Sequence, residues 1–199
     1  MKSLITLSLA TLVLTFLAAG PAVGQRKEVR TDTVIQFPCC ERAGLVTYLD
    51  ISTGLATPID ALWKVNGGSA YTTPPYAGWA APQGSAKWIQ PVASPNPNPN
   101  VAAGTYTYAV QFNIPECRVP SDVRLDGSFA ADNGAKVTLD GKPITSCPMP
   151  NCFKAPSQTL EIASIGPGTH TLTFEVKNES GPSGLMVFAI LTRDCKIKR

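Results

Sequence analysis

All three tryptophans of this 199-residue chain, with Tyr71 and Tyr76, fall between Trp63 and Trp88. Trp79 stands in a loop-like context, Tyr76-Ala77-Gly78-Trp79-Ala80-Ala81-Pro82. A sugar ring binds protein by laying its C–H face on a flat aromatic ring while polar side chains bond its hydroxyls. Tyr71, Tyr76 and Trp79, with Asn66 and Gln83 close in sequence, supply both kinds of contact and are the candidate ligand-binding residues. The competing use of large aromatics is to plug the ends of a β-sandwich. Trp63 and Trp88, in strand-like segments, are assigned that role.

Catalytic chemistry has less to work with. A serine nucleophile needs a base, usually histidine, and the chain has one, His170, on an alternating strand where a core or edge role suffices. Glycoside hydrolysis needs two converging carboxylates. Asp122, Asp126, Asp132, Asp140 and Glu161 are present, but Asp132 and Asp140 already suit turns. No catalytic residue is therefore assigned, and a carboxylate-based hydrolase stands as the enzymatic alternative. In Asp132-Asn133-Gly134 the side chains can cap a turn by bonding nearby amides. The same oxygens, with Asp126 and Asp122, could hold a structural calcium, although no EF-hand spacing occurs. No other cofactor is expected.

The six cysteines, Cys39, Cys40, Cys117, Cys147, Cys152 and Cys195, all lie beyond the N-terminal apolar segment. An even count in an exported chain reads as a disulfide framework. Cys147 and Cys152 could form half a zinc site, but no second pair matches it. The expected pairing is a local Cys147–Cys152 clip across Pro148-Met149-Pro150-Asn151. Cys195 then joins Cys39 or Cys40, and Cys117 takes the remaining partner.

Those residues need a scaffold, and the patterning makes it all-β. Eighteen prolines and sixteen glycines break every helical window. From Thr105 to Ile114, Tyr106, Tyr108, Val110, Phe112 and Ile114 alternate with small or polar residues, the period of a strand with one buried face. Val123, Leu125 and Phe129 mark the next strand. Val137-Thr138-Leu139 enters an Asp140-Gly141 turn and returns at Ile144. Leu160 and Ile162 mark another strand, Thr169 to Lys177 alternates again, and Gly184 to Thr192 is apolar enough to be buried on both faces. Val46–Ile51 and Leu62–Val65 are short strands, and between Asn66 and Asn100 the chain is rich in Gly, Pro, Ser, Ala and Asn. Its Pro-Asn tract, within a loop at 91–103, cannot enter a sheet interior because every second residue lacks an amide hydrogen. The sum is a single disulfide-stapled β-sandwich of jelly-roll type.

The N-terminus carries Lys2, an uncharged apolar run from Leu4 to Ala19, a Gly20-Pro21 break and the small residues Ala22-Val23-Gly24. This is the pattern of a cleaved signal peptide over residues 1–24, leaving one domain over 25–199 and no later membrane-spanning stretch. The expected location is extracellular, or periplasmic in a Gram-negative host. With 17 Lys and Arg against 14 Asp and Glu, and no long run of one sign, nothing points to nucleic acid. Asn178-Glu179-Ser180 matches a glycosylation acceptor.

The order Trp88-Ile89-Gln90-Pro91, Gly104-Thr105-Tyr106-Thr107-Tyr108, Leu125-Asp126-Gly127-Ser128-Phe129, Val137-Thr138-Leu139-Asp140-Gly141 and Gly168-Thr169-His170-Thr171-Leu172-Thr173-Phe174-Glu175-Val176 resembles the galactose-binding-like jelly roll of exported proteins. The resemblance covers residues 87–192. It implies a sandwich that in its relatives often binds carbohydrate and sometimes carries a structural calcium. The extra cysteines and the absence of an attached catalytic domain depart from the pattern of the sugar-binding enzymes. The expected function is non-catalytic binding of a glycan or another extracellular surface. The alternative is a structural or assembly protein of the cell envelope or extracellular matrix.

Overall fold

The computed structural model describes residues 34–40, 44–94, 99–118, 121–154 and 158–195, and every helix or strand among them is a strand. The segment 1–24, the Pro95–Asn98 part of the Pro-Asn tract and the basic tail after Cys195 lie outside the described residues.

One layer is centred on β6 (Gly104–Ile114) and β11 (Gly168–Asn178), antiparallel along their whole length with Tyr108 opposite Phe174 and Val110 opposite Leu172. Beyond β11 come β8 (Gly134–Leu139) and β9 (Lys142–Cys147), joined by the Asp140-Gly141 turn, where both residues take positive φ (52° and 75°). That backbone matches the twist of the strands it connects, which is why Asp-Gly serves there. Beyond β6 lie β3 (Ile59–Val65) and β4 (Gly68–Thr73), while the short β1 (Ile35–Gln36) runs parallel to β6.

The second layer is centred on β7 (Ser121–Asp132) and β12 (Gly184–Cys195), paired in antiparallel register from Asp132–Gly184 to Ser121–Cys195. β10 (Gln158–Ile165) flanks β7, and β2 (Val46–Asp50) flanks β12. β5 (Trp88–Gln90) pairs with both β12 and β4, linking the two layers along one side. From β5 onward the chain passes repeatedly between layers, the jelly-roll connection. β5 falls on the strand-like segment at Trp88, whereas β4 is a strand the patterning does not single out: the alternation in Gly68–Thr73 is carried by small and hydroxyl residues, which give a weak hydrophobic period.

Period two decides the interior. Val123, Leu125, Phe129 and Ala131 of β7 and Leu185, Val187, Ala189 and Leu191 of β12 face Val110, Phe112, Leu172, Phe174 and Val176 of the other layer. Phe174 is met edge-on by Phe129 at 5.2 Å and by Trp63 at 5.7 Å, the aromatic geometry expected between packed layers. The Trp63 indole N–H reaches the Ile51 carbonyl at 2.9 Å, so this tryptophan is core.

Three disulfides form: Cys39–Cys117, Cys40–Cys195 and Cys147–Cys152. The first two tie the segment before β2 to the ends of β6 and β12. At that end Arg193 points inward and is almost fully buried. Its guanidinium donates to the Pro38 and Pro115 carbonyls and lies 4.8 Å over the Phe37 ring. Burial lowers its pKa.

Candidate functional site

The site is built on the outer face of β7 and β12. Residues of β7 with the parity of Asp126 point away from the core: Arg124, Asp126, Ser128, Ala130 and Asp132. Their β12 partners are Thr192, Ile190, Phe188, Met186 and Gly184. Near Gly184 this face is roofed by residues 76–88. Ala80, Ala86, Trp88, Ala130 and Met186 form a second apolar cluster there, separate from the core, with Trp79, Phe153 and Phe188 packed against it.

Local chemistry folds the roof. The Trp79 amide bonds the Tyr76 carbonyl, closing a turn at Gly78, and the Ala86 amide bonds the Gln83 carbonyl. The Trp88 indole N–H donates to the Ala80 carbonyl at 2.9 Å, and Trp79 stacks on Trp88 with centroids 4.1 Å apart. Gly184 is required beneath: a Cβ there would sit 2.9 Å from the Trp79 ring and 3.0 Å from the Ile89 carbonyl. Ser128 donates to the Gln83 side-chain carbonyl and fastens the far end of the roof to β7.

Trp79 also donates from Nε1 to Asp132 Oδ2 at 2.9 Å. Asp132 is only 5% exposed, and its other carboxylate oxygen has no hydrogen-bond partner. Burial pushes its pKa up to about 6, against the opposing pull of the Trp79 hydrogen bond. The roof is thus pinned to an uncomfortable carboxylate.

Beside the roof, between β4 and residues 82–88, runs an open groove of about 450 Å³, within the usual range for small-molecule sites. Trp88 contributes to its lining, Thr57, Thr72 and Thr73 bring hydroxyls, and Pro74, Pro75 and Pro82 bring flat apolar rings. Pro75 leads directly into Tyr76, whose ring is 41% exposed and packs edge-on against Trp79 at 6.4 Å. The groove therefore offers C–H-binding surface and hydroxyls side by side.

The five candidate residues do not gather into one face. Tyr76 and Trp79 touch, but Trp79 is half-buried and engaged with Trp88 and Asp132, while Tyr76 is exposed. Gln83 is the roof's fastener to β7. Tyr71 lies on β4 opposite Ile59 and Gln90. Asn66 is bonded away in the β3–β4 turn, its backbone at positive φ and its Oδ1 accepting the Thr107 amide at 2.9 Å. Sequence proximity placed Asn66 and Tyr71 near Trp79, but the hairpin between β3 and β4 separates them. The groove residues themselves were missed, since threonines and prolines carry no chemical signature. The pair Pro74-Pro75 beside an aromatic was the signal available.

The calcium set does not assemble either. Asp126 pairs with Arg124 at 2.8 Å and lies six residues from Asp132 along β7, roughly 20 Å at strand rise. Asn133 Oδ1 accepts the Glu179 amide. Among the described residues no three His, Cys, Asp or Glu side chains converge as metal ligands. His170 is tied between the Asp140 carboxylate (2.8 Å) and the Gly166 carbonyl (2.9 Å) and stacks near Phe112. Partial burial opposes ionisation of Asp140, but hydrogen bonds from His170 and the Thr171 amide win and hold its pKa below the ordinary value. Asn178 of the glycosylation match is buried, its amide donating to the Val101 and Ala102 carbonyls, so the folded chain closes that acceptor.

Toward Cys195 no described residues roof the same outer face. Tyr48 of β2, opposite Thr192, is 74% exposed, with Val46 exposed beside it. Arg124 bridges Asp126 and Asp194 across the strands.

No protein-family model matches this sequence, and no curated protein does. Among solved structures the chain is similar to a mutant of a family 29 carbohydrate binding module, with 12% identity and a TM-score of 0.37, covering 76% of this chain and 94% of that one. It is similar to a family 35 carbohydrate binding module from an environmental isolate (12%, TM-score 0.33, 70% and 88%). It is also similar to a family two carbohydrate esterase from Cellvibrio japonicus (15%, TM-score 0.36, 74%), of whose length it spans about a third, 33%. These are likenesses of shape at low identity.

Proposed function

We infer that this protein is exported and binds carbohydrate without chemical turnover, and that its contact surface is the groove beside the roof with Tyr76 next to it. The observation that carries the reading is the groove: apolar proline walls, threonine hydroxyls and a neighbouring exposed aromatic ring, framed by the end of β4, Trp88 of β5 and the loops beside them. That is the pairing of surfaces a sugar ring needs, one for its C–H face and one for its hydroxyls. The three disulfides suit an oxidising compartment. The one histidine is engaged with Asp140 and Gly166, which leaves no free imidazole beside the groove to act as a base.

A glycan array probed with the disulfide-bonded protein tests this. Ser85→Tyr, which fills the groove from an exposed position, abolishes binding, and Tyr76→Ala weakens it about tenfold, the order of one lost aromatic contact. Unchanged binding in both variants contradicts the assignment of the surface. A second reading, an envelope or matrix assembly protein, is favoured by the exposed Val46 and Tyr48 of strand β2 and Leu45 just before it. Light scattering decides it: a concentration-dependent dimer lost in Tyr48→Lys supports assembly.

A further inference from the structure

The groove has one formal charge in its described lining, Lys87. Among the described residues no carboxylate forms a salt bridge with it. Its placement is fixed by the backbone on both sides. The Lys87 amide donates to the Thr53 carbonyl at 2.9 Å, and the Thr53 hydroxyl donates to the Lys87 carbonyl at 2.6 Å. Its Cβ rests over Gly54, where any side chain would collide: a Cβ on Gly54 would lie 2.5 Å from that of Lys87. Gly54 is itself held by the buried Asp60 carboxylate, which also accepts the Leu62 and Trp63 amides and is thereby satisfied away from the lysine. A second acid, Asp50, stands behind the lining residue Ser85, where its carboxylate accepts the Ser85 hydroxyl and the Ser52 amide. An exposed lysine whose backbone is fixed, and whose ammonium forms no salt bridge among the described residues, thus borders a groove whose other lining residues are neutral.

We propose that the groove recognises an acidic glycan, its ligand carrying a uronic acid whose carboxylate meets Lys87 while the sugar ring lies along the proline and threonine walls. The proposal rests on the carbohydrate-binding reading above and adds the charge of the sugar. A carboxylate fits because it is attached directly to the pyranose ring, so a ring seated on Pro74 and Pro75 brings it to the groove wall without a flexible spacer. An ammonium–carboxylate contact is a charge-assisted hydrogen bond, stronger than the bond a neutral hydroxyl would make in its place.

The test is titration calorimetry on the disulfide-bonded protein with three probes: a trigalacturonide, the matched neutral trigalactoside and a sulfated galactoside. The expected result is about tenfold tighter binding of the uronide than of the neutral sugar, a preference that weakens with added salt. Lys87→Gln keeps the fold, checked by an unchanged melting temperature, and brings the uronide down to the neutral sugar's affinity. Lys87→Arg keeps the preference. Equal binding of uronide and neutral sugar overturns the proposal and leaves the carbohydrate reading standing. Binding of the sulfated sugar as tightly as the uronide overturns the carboxylate assignment. Binding of none of the three, nor of any sugar on the array, overturns the carbohydrate reading itself.

Discussion

The outer face of β7 and β12 is one pleated surface treated in two ways. Near Gly184 it is covered by aromatic residues of 76–88, and Met186 and Ala130 are buried as deeply as the core. Near Cys195 it is bare among the described residues, and Tyr48 stands largely in solvent, on the same face as Arg124 and its two aspartates. The covered half is held by packing and hydrogen bonds, the bare half by a disulfide at its end. The difference teaches that an aromatic cluster in a sequence need not be a contact surface. Here it is the roof, and the recognising surface is the groove along its margin.

Each half can be broken in its own way. The largest effect is expected from removing the Cys40–Cys195 bridge as a double alanine variant, since it closes a loop of 155 residues. Chain entropy alone assigns such a loop on the order of 5 kcal/mol. Denaturant unfolding measures it, and the loss should free the bare half while the roof's tryptophan fluorescence stays native-like in the folded fraction. Trp88→Ala comes next, costing about 3–5 kcal/mol because it removes a fully buried indole and the Ala80 bond with it. Calorimetry should show the melting temperature falling by on the order of 10 °C, with the groove's base lost.

The third prediction concerns pH. Folded Asp132 keeps its proton up to about 6, whereas an unfolded aspartate releases it near about 3.9. Between those values the folded chain holds more protons, so this group makes stability fall as pH rises through that window, by no more than about 3 kcal/mol. Urea midpoints at several pH values between these limits measure the slope, and Asp132→Asn should flatten it. The smallest effect belongs to the bare half: Tyr48→Ser should change stability by less than about 0.5 kcal/mol, as expected for a position 74% exposed. A larger loss would show that the two halves are not as different as their burial makes them.

Much of the scaffold was legible. β6 and β11 declared themselves because large residues alternate with small ones for ten positions, and Asp140-Gly141 fixed its hairpin through the backbone it requires. β4 was hidden by a strand of glycine, serine, alanine and threonine, whose burial comes from neighbours rather than from its own hydrophobicity. Gly184–Thr192 was read as buried on both faces, which holds where the roof lies over Met186; Ile190 and Thr192, beyond it, are half-buried. The direction of Trp79 was not legible at all. It depends on Asp132, more than fifty residues away, and on the missing side chain of Gly184. The groove was illegible for the same reason, since Thr57, Thr72 and Lys87 are gathered by strand pairing and share no motif.

The most direct test of the central claim is to map where sugar touches the protein. Backbone amide shifts recorded by NMR during titration with a binding glycan should move at residues 72–76 and 82–88 and stay still at 46–50 and 190–194. Shifts centred on Tyr48 and Thr192, with the groove silent, would contradict the account.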